Sequence, residues 1–270
     1  MSDLTYLSLG AGVQSTAVLV MSNLGLHGCP RADVAIFADT QSEPAWVYEH
    51  LAWLTDWSEI PVETCTAGDL RQHATEKQQG KRGRYANIPL WTLGAKGRAV
   101  PLRRHCTREY KIEPIEQHVR RRLGYKPRQR MKHRVEYLVG ISLDEIVRAK
   151  PSRTPWATAR WPLLDAGMRR RDCLALLARQ GVPTPRKSSC SFCPYHDDRM
   201  WIELRAAAPK DFQTAVEFDR QMRDLSTSGL KQPAFVHRSL IPLDQVEFEP
   251  EAPMPLFDSF TEECEGMCGV

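Results

Sequence analysis

The sequence predicts an α/β fold: a parallel sheet with flanking helices, followed by a helical C-terminal part. Three observations predict it. Apolar runs of strand length alternate with segments of helical spacing over residues 4–67. A glycine-rich turn, "GAGVQS", joins the first run to the first helical segment. The chain has 270 residues, 42% hydrophobic and 26% charged, enough for one large α/β domain or a domain with an appendage. Strand–helix–strand alternation means parallel strands joined by crossover helices.

The elements follow in order. "LTYLSL" (4–9) reads as a buried strand, and "TAVLVMSNLGL" after the glycine turn reads as a helix. "ADVAIFADT" is a second strand, "EPAWVYEHLAWLTDW" an amphipathic helix and "PVETCTA" a third strand. Residues 67–102 are polar and glycine-rich without clear periodicity, so they are expected to form a long functional loop. Order resumes with a helix near 112–123, a strand at "VEYLVGI" and a short helix near 143–149. "KPSRTPWATARWPLL" reads as a proline-rich link before the helix "RRDCLALLARQG". Helices are expected at 197–207 and 209–226, with an extended tail after Val246.

Charge and cysteine content narrow the function. The net charge of +4 is unevenly placed: residues 103–134 hold twelve Lys/Arg against three Glu, while the last thirty residues are acidic. The basic stretch suits a phosphate-rich partner such as nucleic acid, or a solvated helix face. No apolar run approaches the ~20 residues of a membrane span. The N-terminus shows no basic region followed by an apolar core, so a cytoplasmic, reducing setting is expected. Eight cysteines in such a setting point to metal binding or sulfur chemistry.

The glycine turn sits where a strand gives way to a helix. Glycines there let backbone N–H groups approach an anion, and the helix N-terminus favours negative charge. Ser15 and Thr16 add hydroxyls in the first turn. The turn is neither a Walker A loop nor G-x-G-x-x-G.

At this point the chain resembles a family. "GAGVQS" resembles the SGGxDS loop of the PP-loop, adenine nucleotide α-hydrolase-like enzymes. "FADTQSEPAWVYEHL" and "RHCTREYKIEPI" resemble segments of phosphoadenosine phosphosulfate reductases, as do "LVGISLDEIVR" and "WPLLDAGMRRRDCLALL". The segments keep the family's order across residues 4–195. The resemblance implies an adenine nucleotide, ATP with Mg²⁺, at the C-terminal edge of the sheet. The implied contacts are Ser8, Gly10, Gly12, Gln14, Ser15, Thr16, Asp39, Thr40 and Gly140. The chain departs from the pattern: Gly10 replaces the loop's first Ser, Gln14 its Asp, and Ser142 stands where the reductases carry Arg. The implied division is a PP-loop domain (1–187), a Cys-containing helical region (188–246) and an acidic tail (247–270).

The cysteines separate into groups. Cys29, Cys65 and Cys173 read as small buried hydrophobes. Cys106 lies among Arg103, Arg104, His105, Arg108 and Lys111, a cationic setting that favours thiolate. Cys190 and Cys193 form a C-x-x-C whose sulfurs can reach one centre, as in zinc or iron–sulfur sites. The resemblance implies a [4Fe-4S] cluster on Cys106, Cys190 and Cys193, with the fourth position left to an open iron, His105, Cys264 or Cys268. Cys264 and Cys268 in the tail are candidate catalytic thiols that bring sulfur or electrons to the site, alongside Asp39. In "PYHDDRMW", Asp197 and Asp198 read as a helix cap and first turn. His237 and Arg238 read either as substrate contacts or as a satisfied surface pair.

Together these imply an ATP-dependent sulfurtransferase acting through an adenylated intermediate on a nucleic-acid base, tRNA included, or a nucleotide, with a sulfur donor. The alternatives are a phosphosulfate reductase and a zinc-stabilised nucleic-acid-binding module without catalysis.

Overall fold

The computed structural model describes residues 2–78, 88–226 and 229–249. The strands are β1 Leu4–Leu9, β2 Val34–Asp39, β3 Val62–Thr66, β4 Trp91–Leu93, β5 Ala99–Pro101, β6 Val135–Leu138, β7 Ala157–Arg160 and β8 Ala234–Phe235. The helices are α1 Val13–Leu24, α2 Ala45–Trp57, α3 Leu70–Gln78, α4 Glu113–Arg122, α5 Pro162–Asp165, α6 Arg170–Arg179, α7 Asp198–Ala207 and α8 Pro209–Gln221.

Five strands form one parallel sheet in the order β3-β2-β1-β6-β7. The predicted α/β architecture is the observed one. β1 is central, and all six of its residues are buried. Its side chains alternate as a pleat requires. Leu7 and Leu9 join a core with Val18 and Met21 of α1 and Leu176 and Leu177 of α6. Leu4 and Tyr6 face the other way, toward Ile115 and Val119 of α4. Helices thus cover both faces, which is why β1 can be apolar throughout.

Chain order sets the site. The path runs outward from β1 through β2 to β3, then returns to place β6 on β1's other side. The strand order reverses between β1 and β6, and open α/β sheets take ligands in the crevice outside the strands' carboxyl ends at such a reversal.

Four places differ from the sequence expectation; the first is that β4 and β5 form inside residues 67–102, which the sequence reads as one loop. Residues 70–78 are helical although the segment is polar, because Leu70 and Ala74 alone form a buried i, i+4 stripe. Strand β7 arises in the segment read as a proline-rich link; its alternation covers only four residues, and pairing with β6 fixes it as a sheet edge. Ahead of α4, residues Arg108–Ile112 form a π turn, closed by Glu113 N–H donating to Arg108 C=O. Pro114 explains it. Proline has no N–H to give to Tyr110 and its ring crowds that carbonyl, so the ladder takes one extra residue.

A second core joins segments far apart in sequence. Leu70, Ala74, Leu90 and Tyr110 pack with Cys190, Phe192, Trp201 of α7 and Phe218 of α8. β4 pairs antiparallel with both β5 and β8, so residues near 92 and 234 share a small sheet. Phe248 continues this packing, its ring stacked 6.4 Å from Trp201.

Candidate active site

The C-terminal edge of the sheet carries the glycine loop. Ala11 turns the backbone with φ +55°, and Gly12 precedes α1. No side chain caps α1 and its first turn carries no acidic residue, so the positive end of the helix dipole is uncompensated there. Ser15 accepts a 3.2 Å hydrogen bond from Gly12 N–H. Gly140, just past β6, closes over this turn: a Cβ on it would lie 2.6 Å from Ser15 N and 2.8 Å from Gln14 C. Only glycine fits, and the ends of β1 and β6 meet at the strand reversal.

The loop's side chains are spent internally. Gln14 Oε1 accepts from Arg170 Nη1 at 2.8 Å. Thr16 Oγ1 lies 3.2 Å from His50 Nε2. Burial pushes His50 down to about 4, so that imidazole is neutral near pH 7. Ser8, Gln14, Ser15 and Thr16 are buried, and Gly10 is the partly exposed member of the turn. What this edge offers a ligand is backbone.

Asp39 ends β2 and is half-buried. Its Oδ1 accepts from Tyr48 Oη at 2.8 Å and from Gln41 N–H at 2.7 Å, which fixes the carboxylate's direction. Burial first, then the Asp39 hydrogen bond, raise the Tyr48 hydroxyl, so it stays a donor.

The adjacent Thr40 leads to the cysteines. Its Oγ1 lies 3.3 Å from Cys190 Sγ. Cys106, Cys190 and Cys193 line one cavity together with Thr40, Arg104 and Lys111. The C-x-x-C is a tight turn, with Cys193 N–H donating to Cys190 C=O at 2.9 Å, and Ser191 N–H pins it to Ser42 C=O at 2.8 Å. Cys190 is buried, while Cys106 and Cys193 are half-buried. Three residues more than 80 positions apart at their extremes, 106 to 193, therefore meet at the end of β2.

One residue here escaped sequence reasoning, Glu43, together with its pairing to Lys111, which the sequence placed only in the cationic setting of Cys106. Glu43 and Lys111 form a buried ion pair, Nζ to Oε1 3.2 Å, with side chains 0% and 7% exposed. Glu43 Oε1 is also 3.9 Å from Cys190 Sγ, and its Oε2 has no hydrogen-bond partner among the described residues. Both lie inside segments singled out for other reasons. No sequence signal sets the pair apart: Lys111 lies among Arg108, Glu109 and Glu113, and burial is what distinguishes it.

The donor set suits an iron–sulfur cluster: three cysteines on one cavity wall beside Arg104 and Lys111, which favour thiolate. Among the described residues no three His, Cys, Asp or Glu gather closely enough to hold a single ion. The space between the walls is about 20 Å³, water-sized, so holding a cluster requires the lining to open. Cys264 and Cys268 lie outside the described residues. Burial pushes the Cys29 and Cys65 thiols up to about 12, and Cys173 is fully buried in the α1/α6 core; none serves as a ligand.

Comparison with solved structures finds a similarity of low identity. A crystal structure of phosphoadenylyl-sulfate (PAPS) reductase from Candida auris, in complex with phosphate, superposes with a TM-score of 0.41 at 14% identity. The match covers 67% of this chain and 74% of that one. No protein-family model and no curated protein sequence matches the chain.

Other predicted residues have structural partners. Asp197 caps α7 by accepting from Met200 N–H at 2.8 Å. His237 is buried, with Nε2 3.3 Å from Asp198 Oδ1 and Nδ1 2.7 Å from Ser239 Oγ. It is a satisfied histidine away from the sheet edge.

Proposed function

We propose that this chain is an enzyme that binds ATP at the carboxyl edge of its parallel sheet and transfers sulfur to an adenylated nucleic-acid base. One observation carries the reading: Thr40, at the end of β2, touches Cys190, so the nucleotide edge and the three-cysteine cavity are one continuous site.

The roles follow from the groups present. Backbone N–H groups at the start of α1, with the helix dipole behind them, meet the polyphosphate. Asp39, oriented by Tyr48 and Gln41, faces the Mg²⁺ that accompanies ATP. A carbonyl oxygen of the base attacks the α-phosphorus, forming a P–O bond as pyrophosphate leaves with the electron pair. Sulfur from a donor then attacks the activated carbon, and AMP departs with its oxygen. Cys106, Cys190 and Cys193 would hold a [4Fe-4S] cluster, which supplies, when bound, an iron without a protein ligand where sulfide is kept. Lys111, paired with Glu43, keeps positive charge against the thiolates.

The test has two parts. The protein purified without oxygen is expected to be brown and to contain iron; a colourless protein holding one zinc would defeat the cluster. Incubation with ATP should release pyrophosphate only when a nucleic-acid acceptor is present. Consumption of adenylyl sulfate without any need for ATP would instead identify a reductase.

A further inference from the structure

A second cavity lies on the other side of the same helical wall. It is about 270 Å³, bounded by the start of α4, by β6 and by the segment 150–154. Its floor is Tyr137. Glu113 and Glu116 of α4 stand on one side, with Arg108, Lys150 and Arg153 around it. The π turn sorts the wall. Thr107 and Lys111 face the cysteine cavity, whereas Arg108, Ile112, Glu113 and Glu116 face this one. A single helix, ~10 Å across, separates the two spaces.

The lining has a definite chemistry. A small inorganic anion would meet two carboxylates, and a simple cation would meet three basic side chains. The cavity suits a ligand that carries both hydrogen-bond donors and an anion. Arg108 already shows the pairing, its Nε 3.1 Å from Glu113 Oε1, and Thr154 Oγ1 donates to Glu116. A nucleotide has this division: amino, imino and 2′-hydroxyl donors for the carboxylates, and a phosphate for the cations. The volume falls just below the usual range of ligand pockets, about 300–1,000 Å³, and matches one nucleotide rather than two.

The surroundings favour a strand over a free nucleotide. Val135 N–H donates to Trp156 C=O at 2.9 Å, so the segment that supplies Lys150 and Arg153 runs beside the turn before β6. That turn exposes Lys126, Arg128, Arg130 and Lys132. Basic residues thus stand at both ends of α4: Arg108, Lys150 and Arg153 at the cavity, and Arg120, Arg121 and the exposed turn at the far end.

We propose that the cavity between α4 and residues 150–154 holds one unpaired nucleotide of a single-stranded nucleic acid whose backbone continues over the basic turn 126–134. The proposal rests on the reading above in one respect: it anchors a nucleotide that flanks the acceptor base one helix away from the cysteines, leaving the acceptor base itself to reach the sheet edge. Its physical basis is independent of ATP.

The experiment titrates the full chain into a short fluorescein-labelled single-stranded RNA at several salt concentrations, reading anisotropy, with ATP binding measured in parallel by calorimetry. Lys150→Ala with Arg153→Ala should weaken RNA binding roughly tenfold near 0.1 M salt and lower the salt slope by about 1.4, from about 0.7 per phosphate on a single strand. Thr154→Trp fills the cavity, so it should weaken binding by about tenfold or more with the slope unchanged. Arg179→Ala, on α6 across the sheet, should change neither. RNA affinity untouched by Thr154→Trp in a folded protein, or a salt slope untouched by the double substitution, overturns the proposal. So does binding of adenosine monophosphate in the cavity with no binding of RNA. ATP binding without RNA binding sinks this inference alone. RNA binding without ATP binding sinks the proposed reaction and leaves the cavity assignment standing.

Discussion

The two halves of the candidate site are built on opposite principles. At the glycine loop, side chains turn inward: Gln14 to Arg170, Thr16 to His50, Ser15 to Gly12. A ligand there would meet backbone and a helix dipole. At the cysteine cavity the side chains are the offering: three thiols, a buried Glu–Lys pair and an unsatisfied carboxylate oxygen. The first half is made by one turn of local sequence plus one glycine just past β6. The second needs residues 40, 43, 106, 111, 190 and 193 brought together by the fold. The difference teaches where each is fragile: the loop through space, the cavity through charge.

The largest effect is expected at the charge. Lys111→Met leaves the Glu43 carboxylate buried without its cation, which costs about 3–5 kcal/mol. Urea denaturation should show it as a lower midpoint at unchanged slope. The double variant Lys111→Met/Glu43→Gln should recover most of the loss, because it leaves no uncompensated buried charge. No recovery would mean that the pair's role is packing, and the contrast with the loop would weaken.

The matching break at the loop is steric. Gly140→Ala places a methyl 2.6 Å from Ser15 N, against backbone that cannot swing aside. Overpacking of this kind costs about 1–3 kcal/mol. The first turn of α1 must shift, so ATP affinity should fall by more than stability alone explains, while thiol or iron content stays unchanged. Calorimetric titration of ATP against the folded variant checks it. Unchanged affinity would remove this turn from the nucleotide site.

How much of this was legible follows the same division. Strand β1 and helix α1 announce themselves because their periodicity is local and their core faces are continuous. The C-x-x-C was visible as spacing, and Cys106 as a thiol in a basic stretch. Glu43 and Lys111 were not separable from ordinary surface charges, since burial is a property of the assembled fold. Helix α3 hid because two buried residues, Leu70 and Ala74, make its whole apolar face. Strand β7 hid because four residues of alternation are too short to outweigh the prolines around them. The basic stretch 103–134 was read as one feature, yet it divides. Arg120, Arg121 and Arg122 sit in the last turn of α4, where cations complement the helix dipole whatever else they do. Lys111 is buried in the cysteine cavity, and Arg108 lines the larger cavity on the far side of the wall.

The smallest effect probes the loop's inward turn through pH. His50 is buried against Thr16 and its pKa is pushed down to about 4, below the 6.5 of an exposed imidazole. Protons therefore bind the unfolded chain more readily between those values. The stabilising contribution is full above about pH 6.5 and declines as pH falls toward 4. Between pH 7 and 5.5 the loss should be about 1 kcal/mol, from 1.36 kcal/mol per pKa unit. His50→Gln retains a hydrogen-bonding group for Thr16 but does not titrate, so its stability should fall less than the wild type's over that interval. Paired denaturation curves at the two pH values give the difference directly. Equal losses in both proteins would show that His50 is solvated in solution, and that the first turn of α1 is looser than its hydrogen bonds indicate. A loop of that kind could turn Thr16 outward to a phosphate, and the distinction between a backbone site and a side-chain site would move from the loop to its bound state.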